Sequence, residues 1–391
     1  MFLSGSSRKK GQYGSYQHRG LSRMKEKTQR AFYSCTFIIN PSRFPEYAKL
    51  LKKILKRTDV PLLIESRSKE HFIDCVREFC HSDYRHLLVW GGDGTAHDAI
   101  NAFAEETEEH QGIRKQKSLG FLRGGSGNGI QDSYEVPIGM FKQIRTYADS
   151  MSNNYMVDVD LLEIANGDER SFCQLVGIGF DAEVLRKRHG HRYKFGPKRG
   201  IIRTGMFNYL RSGLSTFVLG FNDIRHDITL NLYDGKYVFK GTRVNAELPF
   251  RYFERTARPI ETEVGSRPYY GRLFKICPDV VCNDGYLDLY TYNFEDQFSV
   301  LQNVYWLWSG RHDRINKKFA KDNKPLIERY EVKRVEICSE SPFNFHVDGE
   351  LMLTTEKKAG LYTIDIRVLP RQISFLVPGT FYRKFHPFEL E

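Results

Sequence analysis

The chain has 391 residues, 40% of them hydrophobic and 27% charged, with a formal net charge of +11. That length accommodates two cores in an ordinary globular composition, and no stretch approaches the roughly 18 consecutive apolar residues of a membrane span. Seven cysteines without a Cys-X-X-Cys pair exclude a disulfide framework and a cysteine zinc site, so reduced thiols are expected, and the positive excess points to an anionic partner such as nucleotide, nucleic acid or acidic membrane.

Residues 1–30 carry Arg8, Lys9, Lys10, Arg19, Arg23, Lys25, Lys27 and Arg30 among Gly and Ser, against one acid, Glu26. Such a segment buries too little apolar surface to order itself and reads as a disordered basic tail. Met24 offers a second start just before the first apolar run. The absence of a signal-length apolar run predicts a cytoplasmic protein. Ala31–Ile39 has strand composition and ends in the turn signal Asn40-Pro41. Glu46–Leu55 and Glu70–Phe79 show helical periodicity, with Val60–Ile64 a strand between them. His86–Trp90 is a buried strand running into Gly91-Gly92-Asp93-Gly94-Thr95, then a helix over Ala96–Phe103. Ser118–Leu122 is a fourth strand, followed by Gly124-Gly125-Ser126-Gly127-Asn128-Gly129. Strands alternating with helices predict a doubly wound parallel α/β domain over 31–157, with ligands beyond the carboxyl ends of its strands.

After Val157 the texture changes to short strands: Val157–Ile164, Phe172–Val176, Asp227–Tyr233, Tyr237–Phe239, Leu273–Ile276, Tyr286–Tyr292, Arg334–Cys338 and Tyr362–Val368. Turn signals such as Asp234-Gly235 separate several of them. That pattern predicts a β-sandwich-like domain over 158–368, interrupted by helices near Ala182–Arg188 and Phe298–Trp308. A segment over 369–391, with the strand Gln372–Val377, returns to the first domain.

Three clusters carry chemistry. In Gly91–Thr95, glycines let the backbone approach a phosphate chain, and the following helix N-terminus offers free N–H groups. Asp93 faces phosphate only through a cation, which Mg²⁺ supplies. A plain strand-to-helix turn is the bland alternative. Gly124–Gly129 makes a second glycine-rich turn at the same sheet edge, where Ser126 and Asn128 either bond a ligand or stabilise the turn. Asp348-Gly349-Glu350 alone is a hairpin signal; a kinase also needs an acid to take the hydroxyl proton.

Asn40-Pro41, GGDGT at 91–95 with Asp98 behind it, GGSGNG at 124–129, Gly179-Phe180-Asp181-Ala182 and DGE at 348–350 together resemble the diacylglycerol kinase catalytic family. That family includes bacterial lipid kinases, sphingosine kinases and ceramide kinases. The resemblance spans about residues 32–380, and the segment Tyr269–Leu289 is similar to the family's second domain. It implies ATP and Mg²⁺ in a cleft between the domains. Asn40, Pro41, Gly91, Gly92, Asp93, Gly94 and Thr95 would line it, with Gly125, Ser126, Gly127 and Asn128. Glu350 matches the general base with Asp348 beside it, Asp93 and Asp348 would serve the metal, and the choice between Glu350 and Asp93 as base stays open. Arg192 and Lys198 match basic positions that reach ATP phosphates in sphingosine kinases. The run from Arg186 to Arg203 otherwise either meets anionic headgroups, placing the protein peripherally at a membrane, or is solvated.

The chain departs from the family at Asp98, usually Glu, at Arg123, often Pro, and at Arg272, where glycine is common. An arginine at 123 either contacts phosphate or is solvated. Leu185 stands where sphingosine kinases carry the acid that receives the lipid amine, which argues against sphingosine. Phe250–Phe253 and Tyr305–Trp308 read as core, with an acyl wall as the alternative. The expected activity is transfer of the ATP γ-phosphoryl group to a lipid hydroxyl. The rivals are an NAD kinase-like phosphotransferase, which shares GGDG, and a non-catalytic membrane- or nucleic-acid-binding module. Nothing resembles a recognition helix or a base-stacking motif.

Overall fold

The computed structural model describes residues 31–56, 60–114, 116–194, 221, 224–240, 245–270, 274–358 and 360–387. The basic segment 1–30, Lys198, Arg203 and Arg272 lie outside the described residues, as does the side chain of Arg192.

In the first part, apolar runs short enough for strands alternate with amphipathic helices. β1 (Cys35–Ile39), β2 (Leu62–Glu65), β3 (His86–Gly91) and β4 (Ser118–Arg123) are joined through α1 (Pro45–Leu55), α2 (Lys69–His81) and α3 (Asp93–Glu109). They pair in parallel in the order β2–β1–β3–β4. Alternate residues of β3 feed opposite cores. Leu87 and Val89 pack with Phe72, Val76, Ile100 and Phe103 of α2 and α3. Leu88 and Trp90 pack with Leu51 and Leu55 of α1 and with Ile144 and Tyr147. Both faces are therefore covered, which is why these strands read as continuous apolar runs. Two more helices follow, α4 (Gly129–Ser133) and α5 (Met140–Asn153).

The second part is antiparallel. β5 (Met156–Asn166), β6 (Glu169–Cys173) and β7 (Leu175–Gly179) lead into α6 (Phe180–Lys194). Then come β8 (Ile228–Lys240), β9 (Asn245–Ala257), β10 (Glu261–Gly265), β11 (Leu287–Tyr292), α7 (Gln297–Trp308), α8 (His312–Lys321), β12 (Ile327–Val332) and β13 (Arg334–Ser339). The chain ends in β14 (Asn344–Val347), β15 (Glu350–Leu353), β16 (Glu356–Lys358), β17 (Leu361–Leu376) and α9 (Gly379–Phe385). One run of pairing is β12–β11–β10–β7–β14–β15. Another is β13–β17–β5–β6. Leu162, Val176, Leu230, Leu289, Ile337 and Phe345 share the core between them.

Sequence and structure differ at several joints. Phe172–Val176 is two strands, broken at Gln174. Asp234-Gly235 is not a loop between strands: β8 runs through it in constant register with β9. Asp234 takes φ +52 there, and β8 changes partner, facing β13 before that point and β12 after it. Gly235 is needed because a Cβ would overlap the Glu331 carbonyl. In place of a strand over Leu273–Ile276, the described residues show only a bridge from Tyr270 to Phe274. The predicted strands at Tyr362–Val368 and Gln372–Val377 are one long β17. Its register shifts between Leu369 and Ile373, and Phe375 then pairs in parallel with Leu119 of β4. The returning strand thus completes the parallel sheet. All seven cysteines are free and buried, and no helix among the described residues is long and apolar enough to cross a membrane.

Candidate active site

The carboxyl ends of β3 and β4 each release a glycine turn, and the two turns pack backbone against backbone. Gly124 N–H donates to the Gly91 carbonyl at 2.8 Å. A Cβ on Gly124 would stand 2.8 Å from Gly91 N, and one on Gly92 would stand 3.1 Å from Gly125 Cα. A Cβ on Gly125 would overlap Gly92 Cα. Side chains are excluded here by the neighbouring backbone itself. Gly92 caps α3, so the first N–H groups of that helix point out of the turn without intrahelical acceptors. Asn128, buried and at φ +63, holds the second turn closed. Its Oδ1 accepts from Gly125 N–H at 2.9 Å, and its Nδ2 donates to the Gly125 carbonyl at 2.8 Å. Asn128 therefore shapes the turn, whereas Ser126 is exposed at its tip. Asn40, after β1, donates from Nδ2 to Thr95 Oγ1 at 3.0 Å and ties a third loop to the same edge, with Pro41 half-buried beside it.

Asp93 opens α3 beneath these turns. One of its oxygens accepts a long 3.3 Å bond from Ile130 N–H. The other lies where a Cβ on Gly127 would be. From the antiparallel part, β14 and β15 reach the same place through a two-residue turn. Asp348 and Gly349 take φ +50 and +91, and Val347 faces Glu350 across the hairpin. DGE is therefore a tight hairpin of the kind that Asp-Gly favours, and that hairpin delivers an acid. Glu350 Oε1 comes within 3.4 Å of where a Cβ on Gly94 would be. An exposed carboxylate from one part of the chain thus sits against the GGDGT turn of the other.

Residues 34–164 match the family model of the diacylglycerol kinase catalytic domain. No curated protein matches the chain. Among solved structures, a putative diacylglycerol kinase from Bacillus anthracis str. Sterne is similar, with a TM-score of 0.57 and 18% identity, covering 89% of this chain and 96% of that one. Another diacylglycerol kinase structure from the same organism gives 0.56 and 16%, covering 89% and 97%. At these identities the likeness is one of fold.

Within the stretch that matches the diacylglycerol kinase catalytic domain, the residues that depart from the family pattern have structural partners. Arg123 donates from Nε and Nη2 to the Val136 carbonyl at 2.9 and 2.7 Å and pairs with Asp132 at 2.6 Å. It is pinned beneath the second glycine turn and largely withdrawn from solvent. Asp98 pairs with Lys69 of α2 at 2.8 Å. That hydrogen bond, together with the charges of Asp98 and Glu350, raises the Lys69 ammonium above its ordinary range. Farther along, Leu185 is buried, and Glu183 accepts from Arg186 at 2.7 Å, so neither supplies a free acid at the sphingosine-kinase position.

Asp348 is buried beneath the hairpin and fully engaged. His97 Nδ1 lies 3.1 Å from its Oδ2, Arg267 Nη2 donates to Oδ1 at 3.1 Å, and Gln174 N–H approaches both oxygens at 3.3 Å. Burial pushes the Asp348 carboxyl up, but the His97 hydrogen bond and the Arg267 guanidinium outweigh it and hold the group below its usual range. Burial likewise pulls His97 down, and Asp348 more than restores it, leaving the imidazole above its ordinary value. His97, Arg267 and Gln174 escaped the sequence reading. His97 alone left a signal: it stands four residues after Asp93, on the same helix face. Arg267 and Gln174 lie in loops with no motif, and only the fold brings them to Asp348.

Proposed function

We propose that the protein is an ATP-dependent kinase that transfers the γ-phosphoryl group to a lipid hydroxyl, with diacylglycerol or a related lipid as acceptor and Mg²⁺ as cofactor. The observation that carries this reading is the placement of Glu350 against Gly94. It joins a carboxylate from one part of the chain to a glycine cradle on the other. Gly91, Gly92, Gly94, Gly125 and Gly127 would admit the phosphates, with Asn40, Pro41, Thr95 and Ser126 around the nucleotide. Arg192 and Lys198 keep the phosphate role that the resemblance implies.

Asp93 fits a metal-holding role, since one of its oxygens lies free over the space left by Gly127. Asp348 does not fit, because both its oxygens accept bonds from buried groups; we assign it to positioning Glu350. Bound through Asp93, Mg²⁺ would neutralise charge at the phosphates. Glu350 takes the hydroxyl proton as the lipid oxygen bonds to the γ-phosphorus and the bond to the ADP oxygen breaks.

The lipid acceptor is supported by α7, which is folded inside out. Its buried residues are Ser299, Asn303 and Leu307, whereas Phe298, Leu301, Tyr305 and Trp308 form an outward stripe, with Phe298 and Tyr305 68% and 69% exposed. Tyr305 and Trp308 are therefore not core. Arg311, just before the next helix, and Arg314, Lys317, Lys318 and Lys321 within it face solvent. An apolar stripe beside basic side chains is the composition of an interfacial helix on an anionic membrane.

Radiolabelled ATP offered with a total lipid extract and NAD tests the acceptor: label should enter a lipid, and label in NAD alone would overturn it. Glu350→Gln should then lower kcat by about 10²–10⁴ with little change in the KM for ATP. A folded variant within about threefold of wild type would remove the general-base role.

A further inference from the structure

Behind the hairpin, a buried polar cluster plays no part in the chemistry above. In the order β10–β7–β14, Glu263 and His346 are both in register with Gly177, one from each side. Residues paired across adjacent strands point to the same face. Gly177 leaves the space between them empty, since a Cβ there would overlap both Glu263 Oε2 and His346 Nε2. Asp181 enters from the first turn of α6. Donor atoms of Asp181, Glu263 and His346 all lie within 4.8 Å of one another, and His346 Nε2 is 3.7 Å from Glu263 Oε1.

Both Glu263 oxygens and both His346 nitrogens are fully enclosed and without a hydrogen-bond partner among the described residues. A third acid, Glu261, is buried next to them, and one of its oxygens is equally unpartnered. The nearby guanidinium, Arg267, gives Nη2 to Asp348 and Nη1 to the Tyr269 carbonyl, and its buried Nε bonds neither Glu263 nor any other described group. Buried carboxylates without partners are expensive, and native structures resolve such groups with protonation, water or an ion. Protonating Glu263 would not satisfy His346, because 3.7 Å is too long for a hydrogen bond. It does suit two donors on one ion: tetrahedral ligands about 2.1 Å from a metal stand about 3.4 Å apart.

We propose that Asp181, Glu263 and His346 bind a divalent cation of the zinc or manganese class inside the antiparallel part, separate from any nucleotide-associated Mg²⁺. An imidazole with two carboxylates favours these ions over Mg²⁺ and Ca²⁺, which prefer oxygen ligands alone. The surroundings hold the ligands in place. Glu261 Oε2 accepts from Asp181 N–H at 2.9 Å and fixes the start of α6, while the Tyr270 ring stacks on His346 with centroids 4.7 Å apart.

Elemental analysis of the purified full-length chain, after exhaustive dialysis into metal-free buffer, reads the site without an activity assay. Wild type should retain about one equivalent of zinc or manganese, and Glu263→Gln or His346→Gln should reduce it at least tenfold. Wild type unfolded in chelator and refolded should gain several degrees in Tm when Zn²⁺ or Mn²⁺ is added, which tests the site even if the variants misfold. Two results would overturn the proposal. One is wild type that neither retains metal nor is stabilised by it. The other is retention in both variants and loss in His110→Ala, which would place the ion at the surface trio of His81, Glu106 and His110.

Discussion

Asp348 and Glu350 are separated by one glycine and end in opposite surroundings. Asp348 turns inward to His97 and Arg267, and Glu350 turns outward to the glycine cradle. The two substitutions should therefore be separable. Asp348→Asn leaves Arg267 buried without its counter-charge, and losing one partner of a buried pair typically costs about 3–5 kcal/mol. The variant should show a large fall in Tm by calorimetry, whereas Glu350→Gln should leave Tm near wild type and lose turnover. Equal Tm values for the two variants would dissolve this division of labour. The sequence carries the acids and their spacing but not which one faces solvent. That depends on His97 and Arg267, which lie 251 and 81 residues from Asp348 along the chain.

At the scale of elements, the cradle depends on two turns that touch through their backbones. Gly125→Ala would force its Cβ into Gly92 Cα, and the atoms it meets first are backbone rather than the end of a flexible side chain. Overpacking of this kind costs about 1–3 kcal/mol. The variant should also bind ATP at least tenfold more weakly by calorimetric titration, as the turns move apart. Unchanged affinity would mean that phosphate does not enter between them. The parallel half was legible because its strands are buried on both faces and its helices keep their 3.6-residue period. The antiparallel half was less so, for local reasons. Asp234-Gly235 carries a turn signal but serves a strand that changes partner. β9, Asn245–Ala257, was missed although Ala246, Leu248, Phe250 and Tyr252 alternate with Glu247, Pro249 and Arg251: a proline inside the run argues against a strand, and most of its residues are exposed. α7 looked like core because apolar periodicity marks a helix face without saying what covers it.

Across the whole molecule, α7 and α8 set an apolar stripe beside a basic face on the antiparallel part. The Arg314 guanidinium lies 4.7 Å from the Trp306 ring centroid and helps hold the two helices together. Sedimentation with anionic vesicles should show binding that weakens as salt rises. Replacing Tyr305 and Trp308 together by Ser should reduce partitioning by at least about 30-fold, since each ring loses about 1–2 kcal/mol of apolar transfer. Binding unaffected by that pair would remove α7 from the contact. β17 has a different reach. Residues 362–369 pair with β13 and β5, and residues 373–376 stay antiparallel to β5 while Phe375 reaches β4 of the parallel sheet on the other side. During synthesis, β4 waits with an open edge until nearly the whole chain has emerged from the ribosome. An unfilled edge invites pairing with another nascent copy, and contacts this distant in sequence form slowly. The parallel half, although made first, is therefore completed only when β17 arrives, and the interval before that is when an exposed strand edge is most open to mispairing.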